Sequence, residues 1–171
     1  MSSVSHRLCL LRHAQAALVP GLPDHDRPLT ESGEAAALRV GDWLAEAQLL
    51  PDMAIVSTAR RTRATWDGVQ KRLPAFVPAV FEKRIYESTP ENILESIQYT
   101  AEAHHCVLVV GHNPGLHQLA LDLIEQGDSN SLARLNQEFT PGSLVIIDFP
   151  ALPAWEQLDR HSGVLQRFVT P

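Results

Sequence analysis

Leu8-Cys9-Leu10-Leu11-Arg12-His13-Ala14-Gln15 decides the fold: a continuous apolar run stops at a guanidinium followed by an imidazole. An apolar run without polar alternation is the pattern of a strand covered on both faces. Arg12 and His13 then fall just past its carboxyl end, and in open parallel α/β sheets ligands bind in the crevice outside that end of the strands. A second stretch has the same order: Cys106-Val107-Leu108-Val109-Val110 is apolar and ends in Gly111-His112-Asn113-Pro114-Gly115. Asn113 is suited to cap the helix that follows and Pro114 to its first turn, which puts His112 between a strand's carboxyl end and a helix's amino end.

A third polar segment, Ser57-Thr58-Ala59-Arg60-Arg61-Thr62-Arg63-Ala64-Thr65, begins where the apolar run over 52–57 stops. Arginines on a helix are commonly just a solvated face, but this cluster too starts at a strand's carboxyl end. Three strands thus send Arg12 and His13, Arg60 or Arg61, and His112 towards one crevice.

The remaining segments alternate between the two periodicities. Residues 16–28 carry three prolines, a glycine and Asp24-His25-Asp26-Arg27 without periodicity, and read as a loop on the same sheet edge. Thr30 opens a helix that should stop at Pro51. A helix over 59–73, a strand over 76–81 and a helix from Pro90 through Ile93, Leu94, Ile97 and Ala101 follow. A helix from 114 to about 125, a short helix over 131–137 and a strand over 143–149 come next. Residues 155–158 and 164–169 alternate as an edge hairpin would. This order predicts a three-layer α/β/α sandwich with a mostly parallel central sheet and antiparallel edge strands.

The 171 residues suit one domain, 1–171, with residues 1–6 as a flexible tail. A net charge of -6 argues against non-specific nucleic-acid binding, which depends on many phosphate-neutralising Lys and Arg. No apolar stretch approaches the roughly 20 residues of a membrane span. The two cysteines, Cys9 and Cys106, lie inside apolar runs and read as small core residues. With no export leader in view, a cytoplasmic location is expected. Among eight histidines, no His-x-x-x-His or cysteine pair stands beside a carboxylate ligand, so neither a metal nor another cofactor is expected. His104 and His105 read as exposed, His117 as a packing residue, and His6, His25 and His161 as lying in polar surroundings. A monomer is the default expectation.

The converging groups fit a phosphoryl group. Guanidinium forks neutralise and orient its oxygens through paired charge-assisted hydrogen bonds, and a helix amino end adds backbone donors. An unprotonated imidazole can attack phosphorus, splitting one hard displacement into two easier ones.

Four blocks in order resemble one family: Leu11-Arg12-His13-Ala14; Arg27-Pro28-Leu29-Thr30-Glu31-Ser32-Gly33; Val56 to Thr65; and Val109-Val110-Gly111-His112-Asn113-Pro114-Gly115. They are similar to the histidine phosphatase superfamily, with its phosphoglycerate mutase-like fold, and within it to the small SixA-type phosphohistidine phosphatases. The resemblance implies that His13 is the phosphorylated nucleophile, with Arg12 and His112 on the phosphoryl group. It also implies that Arg61, not Arg60, is the phosphate-binding arginine of the second strand, and that Arg27 reaches the active site. Asn113 joins Arg27 as a candidate substrate-binding residue.

Ala14 and Thr58 replace the family's common glycine and proline without removing a reacting group. Superfamily members with broad activity place a Glu after the third strand, which Glu87 matches loosely; SixA-type enzymes can lack this acid. An imidazole leaving phosphohistidine needs less protonation than an alcohol leaving a phosphoester. The leading expectation is therefore a metal-independent phosphatase acting on phosphohistidine in a partner protein or on a small phosphorylated compound. The alternatives are a broad phosphomonoesterase with Glu87 as general acid and a non-catalytic module that binds phosphorylated ligands.

Overall fold

A computed structural model describes residues 5–100 and 102–171. Its strands are β1 (His6–Arg12), β2 (Met53–Ser57), β3 (Ala79–Glu82), β4 (Cys106–Gly111), β5 (Ile124–Gly127), β6 (Leu144–Phe149) and β7 (Gly163–Val169). Its helices are α1 (Glu31–Glu46), α2 (Arg60–Arg72), α3 (Pro90–Gln98), α4 (Gly115–Leu123) and α5 (Ser129–Gln137). The strands form a single sheet in the order β3-β2-β4-β1-β6-β7-β5.

The apolar runs read from the sequence become the centre of that sheet. Leu8 and Leu10 face one side with Val107 and Val109, under α3, α4 and α5 through Ile93, Ile97, Leu116, Leu119 and Leu135. Cys9 and Leu11 face the other with Leu108 and Val110, under α1 and α2 through Val40, Leu44, Trp66 and Val69. Alternate side chains of one strand thus enter two separate cores, as burial on both faces requires. The result is the expected three-layer α/β architecture.

The antiparallel pairing differs from the expected edge hairpin. β6 pairs antiparallel with β1 and β7, whereas β5 joins β7 in parallel at the outer edge. The expected first strand of that hairpin is instead a short 3₁₀ turn, Trp155–Gln157, with the Trp155 indole buried. The helix expected to reach residue 125 stops at Leu123, because the chain turns there into β5. Helix α1 likewise ends at Glu46, ahead of Pro51, and Gln48 turns the chain with a positive φ of 56°.

Thr30 caps α1 as expected, its hydroxyl accepting from the Gly33 N–H at 3.0 Å. Residues 1–4 of the expected tail lie outside the described residues, as does Ala101. His6 is not part of a tail, nor is it in polar surroundings: it opens β1, is buried, and packs edge-on against Trp155 at 4.8 Å between ring centres. No helix is long and apolar enough to cross a membrane among the described residues.

Candidate active site

Three adjacent parallel strands end at one level. Arg12 pairs in register with Gly111, and Val56 with Val110. The residues that follow, His13, His112 and Ser57, therefore emerge side by side at the sheet's carboxyl edge. The ring centres of His13 and His112 lie 5.3 Å apart.

The protonation of His13 follows from one contact. Its Nδ1 sits 2.8 Å from the Ala14 carbonyl oxygen, which can only accept. The proton must reside on Nδ1, leaving the lone pair on Nε2. Burial, together with the nearby Arg61, Arg12 and Arg27 guanidiniums, lowers the His13 pKa to about 4. The ring is consequently a neutral, Nε2-basic imidazole at pH 7. Its backbone is tied to α2: the Ala14 N–H donates to Thr65 Oγ1 at 3.0 Å, and that hydroxyl donates to the Arg61 carbonyl at 2.7 Å.

His112 is fixed in the opposite sense. Its Nδ1 lies 3.3 Å from Nη2 of Arg61, a group that can only donate, so Nδ1 carries the lone pair. Its Nε2–H donates to Ser57 Oγ at 2.7 Å. Burial first, then His13 and Arg61, lower its pKa to about 3.

Arg61, 2% exposed, anchors the other side of the site. Its Nη1 donates to the Asp24 carbonyl at 2.8 Å, and its Nη2 to Asp24 Oδ2 and to Glu87 Oε1, both at 3.1 Å. Arg60, one residue earlier on the helix, is exposed. Arg12 is half-buried; burial and the neighbouring Arg61 lower its pKa, and its Nη1 donates to the Phe139 carbonyl at 3.0 Å. The Nε–H groups of both arginines are buried with no hydrogen-bond partner among the described residues.

Arg27 reaches the site's rim, donating from Nε to the Ala17 carbonyl and from Nη1 to Asp24 Oδ1, each at 3.1 Å. Glu87 stands beside Arg61 on a residue with φ of 45°, in the left-handed region that disfavours side chains. Asn113 does not cap α4, which starts two residues later at Gly115. Its amide instead donates to the Phe139 carbonyl at 2.8 Å, the acceptor it shares with Arg12. His117 is a packing residue, bonded through Nε2 to the Leu135 carbonyl at 2.5 Å and set against Phe139.

Sequence reading overlooked four participants. Ser57 and Thr65 stood inside a quoted block but carried no role. Asp24 and Tyr86 carried none either, although the Tyr86 hydroxyl donates to Asp24 Oδ2 and its ring stands edge-on to His112 at 5.3 Å. His25 lies in polar surroundings, as expected, and also beside the site, bonded to Thr58 Oγ1 at 2.9 Å and edge-on to Tyr86. Among the described residues, no group of three or more His, Cys, Asp and Glu side chains is placed to hold a metal ion.

Comparison with known proteins places this arrangement in a family. The model of the histidine phosphatase superfamily (branch 1) matches residues 8–93. An uncharacterized protein of Mycobacterium tuberculosis is 31% identical over 165 residues, spanning 94% of this chain and 99% of its own. A provisionally named phosphohistidine phosphatase SixA from Agrobacterium tumefaciens superposes with a TM-score of 0.81 at 31% identity, over 98% of this chain and 99% of that one. Its counterpart from Nakamurella multipartitia gives 0.81 at 28% identity, over 97% and 96%. With its two histidines and two arginines gathered at the carboxyl ends of neighbouring strands, the chain belongs to the histidine phosphatase superfamily as a phosphatase of the SixA type.

Proposed function

We propose that this phosphatase is metal-independent, works through a covalent phosphohistidine on His13, and takes its phosphoryl group from phosphohistidine in a partner protein. The observation that carries the reading is the protonation of His13: Nδ1–H is held by the Ala14 carbonyl, so Nε2 is a free nucleophile in a ring that burial keeps neutral. In the first step Nε2 attacks phosphorus, forming a P–N bond as the substrate's own P–N bond breaks and its imidazole leaves. Arg61 and Arg12 balance the charge spread over the phosphoryl oxygens, and their unpartnered Nε–H groups are further donors for them. An arriving dianion favours the charged form of His112, whose Nδ1–H then donates to a phosphoryl oxygen. In the second step water attacks phospho-His13 and releases orthophosphate.

The partner of Glu87 supports this substrate class. Glu87, whose side chain is 54% exposed, accepts a hydrogen bond from Arg61, a role opposite to that of a proton donor. An imidazole leaving group tolerates such a site better than an alkoxide does. The position of Glu87 within the cluster favours a second reading, a small-molecule phosphomonoesterase in which it turns to the leaving oxygen as general acid.

Incubation with a phosphohistidine-bearing protein domain and, in parallel, an aryl phosphate tests both, with acid-labile phosphoenzyme as the readout. The expected result is turnover of the protein substrate, slow hydrolysis of the ester, and label on His13. His13→Ala should fold and lose both activities. Substantial turnover by that variant overturns the mechanism, and efficient hydrolysis of the ester alone selects the second reading.

A further inference from the structure

We propose that Asp24 is a built-in anionic competitor: its carboxylate holds the Arg61 guanidinium, substrate must displace it, and free orthophosphate is therefore bound weakly and released. This inference rests on the phosphoryl site read above.

The carboxylate is on the reacting edge of the guanidinium. It engages Nη2 at 3.1 Å, the same nitrogen that lies 3.3 Å from His112 Nδ1, and the His112 ring is 5.3 Å from that of His13. Asp24 also takes Nη1 with its own carbonyl at 2.8 Å, so one residue satisfies both terminal nitrogens. Two oxygens of a phosphoryl group ask for the same fork. An ion pair that merely orients an arginine leaves a terminal nitrogen free for substrate; this one engages both and leaves only the Nε–H unpartnered among the described residues.

The geometry also says which partner yields. Arg61 is 2% exposed, and its carbonyl is bonded to Thr65. The Asp24 side chain is 43% exposed and belongs to a single 3₁₀ turn, Asp24–Asp26, so it can reach water without a large desolvation penalty. Its other partners, Arg27 Nη1 on Oδ1 and the Tyr86 hydroxyl on Oδ2, hold it close to Arg61 and ready to return. Orthophosphate has only its own oxygens with which to displace this carboxylate while also facing Glu87. A phosphorylated protein adds contacts remote from phosphorus, and that binding energy offsets the exchange.

Orthophosphate titration of wild-type protein, Asp24→Asn, Tyr86→Phe and Asp26→Asn at fixed pH and ionic strength, by calorimetry, tests the inference. Asp24→Asn should tighten the dissociation constant about tenfold. Tyr86→Phe, which removes only a hydroxyl, should tighten it by a smaller factor, and it decides the matter if Asp24→Asn does not fold. Asp26→Asn removes an equal charge from the same turn without a contact to Arg61 and should change affinity less than about twofold.

Unchanged, weaker or undetectable binding by Asp24→Asn overturns the proposal and makes Asp24 an orienting group, and equal tightening by Asp26→Asn reduces the effect to net charge. Phospho-His13 formation is a separate readout: tighter orthophosphate binding without it keeps this inference and removes the phosphatase mechanism. Phosphoenzyme with unchanged orthophosphate affinity does the reverse.

Discussion

Ser57 Oγ lies 2.7 Å from Nε2 of His112, and both residues are buried. Arg61, which can only donate, sets the lone pair on Nδ1, and the hydroxyl then accepts the one N–H of the neutral ring and holds the ring in that orientation. Replacing Ser57 by Ala removes this restraint without touching His13. The expected outcome is a fold that survives and a kcat that falls by about 10-fold, the scale of losing an outer hydrogen-bond partner of a working side chain. Ser57→Thr, which keeps the hydroxyl, should recover part of the loss. A kcat equal to wild type in Ser57→Ala would show that the ring is positioned by packing alone.

Acid sensitivity is the second prediction. The His13 pKa is lowered from 6.5 to about 4 and that of His112 to about 3, both first by burial. Between pH 6.5 and about 4 the unfolded chain binds protons at these positions that the folded site excludes. The unfolded state therefore holds more protons, and stability rises with pH through this window and is lost as pH falls. Urea denaturation across the window should show a shallower dependence for His13→Asn than for wild type. The expected difference is about one proton, or roughly 1.4 kcal/mol per pH unit. Parallel curves would refute the assignment of a neutral, buried His13.

The centre of the sheet was readable because β1, β2 and β4 are short apolar runs with polar groups directly after them. That pattern brings His13, Arg61 and His112 to one edge whatever the rest of the chain does. The hydrogen-bonding partners were not readable. Ser57 ends an apolar strand as any small residue might, and Asp24 and Tyr86 lie in irregular segments 62 positions apart, where no periodicity links them. Asn113 has a capping residue's chemistry, but the chain spends its amide on Phe139 and starts α4 later. Leu123-Ile124 continues an apolar helix pattern, so nothing local announces β5; pairing with β7 decides it.

Gly115 gives the third prediction. A Cβ at this position, the first of α4, would lie 2.1 Å from the Ser88 carbonyl oxygen and 3.2 Å from Ile93 Cδ1. The obstacle is backbone, so the 86–89 segment that carries Tyr86 and Glu87 would have to move. Gly115→Ala should destabilise the protein by about 2 kcal/mol, the range of an overpacked core site. It should also reduce activity at temperatures where the variant is still folded. A thermal midpoint equal to wild type would show that the segment shifts freely.

Glu87 separates the two substrate classes. Its carboxylate accepts from Arg61 at 3.1 Å, and Gln at the same position keeps an accepting oxygen while losing the ionisable proton. If phosphohistidine is the substrate, the departing imidazole needs little protonation, and Glu87→Gln should retain turnover of a phosphohistidine domain within about threefold. Loss of the carboxylate charge beside Arg61 acts mainly on binding, so the change should appear in KM and not in kcat. A general acid gives the opposite pattern: kcat on an alkyl phosphate falls about 100-fold or more, and an aryl phosphate with its better leaving group is affected less. The ratio of the two effects, measured on one preparation of the variant, decides whether Glu87 handles protons or only shapes the charge around Arg61.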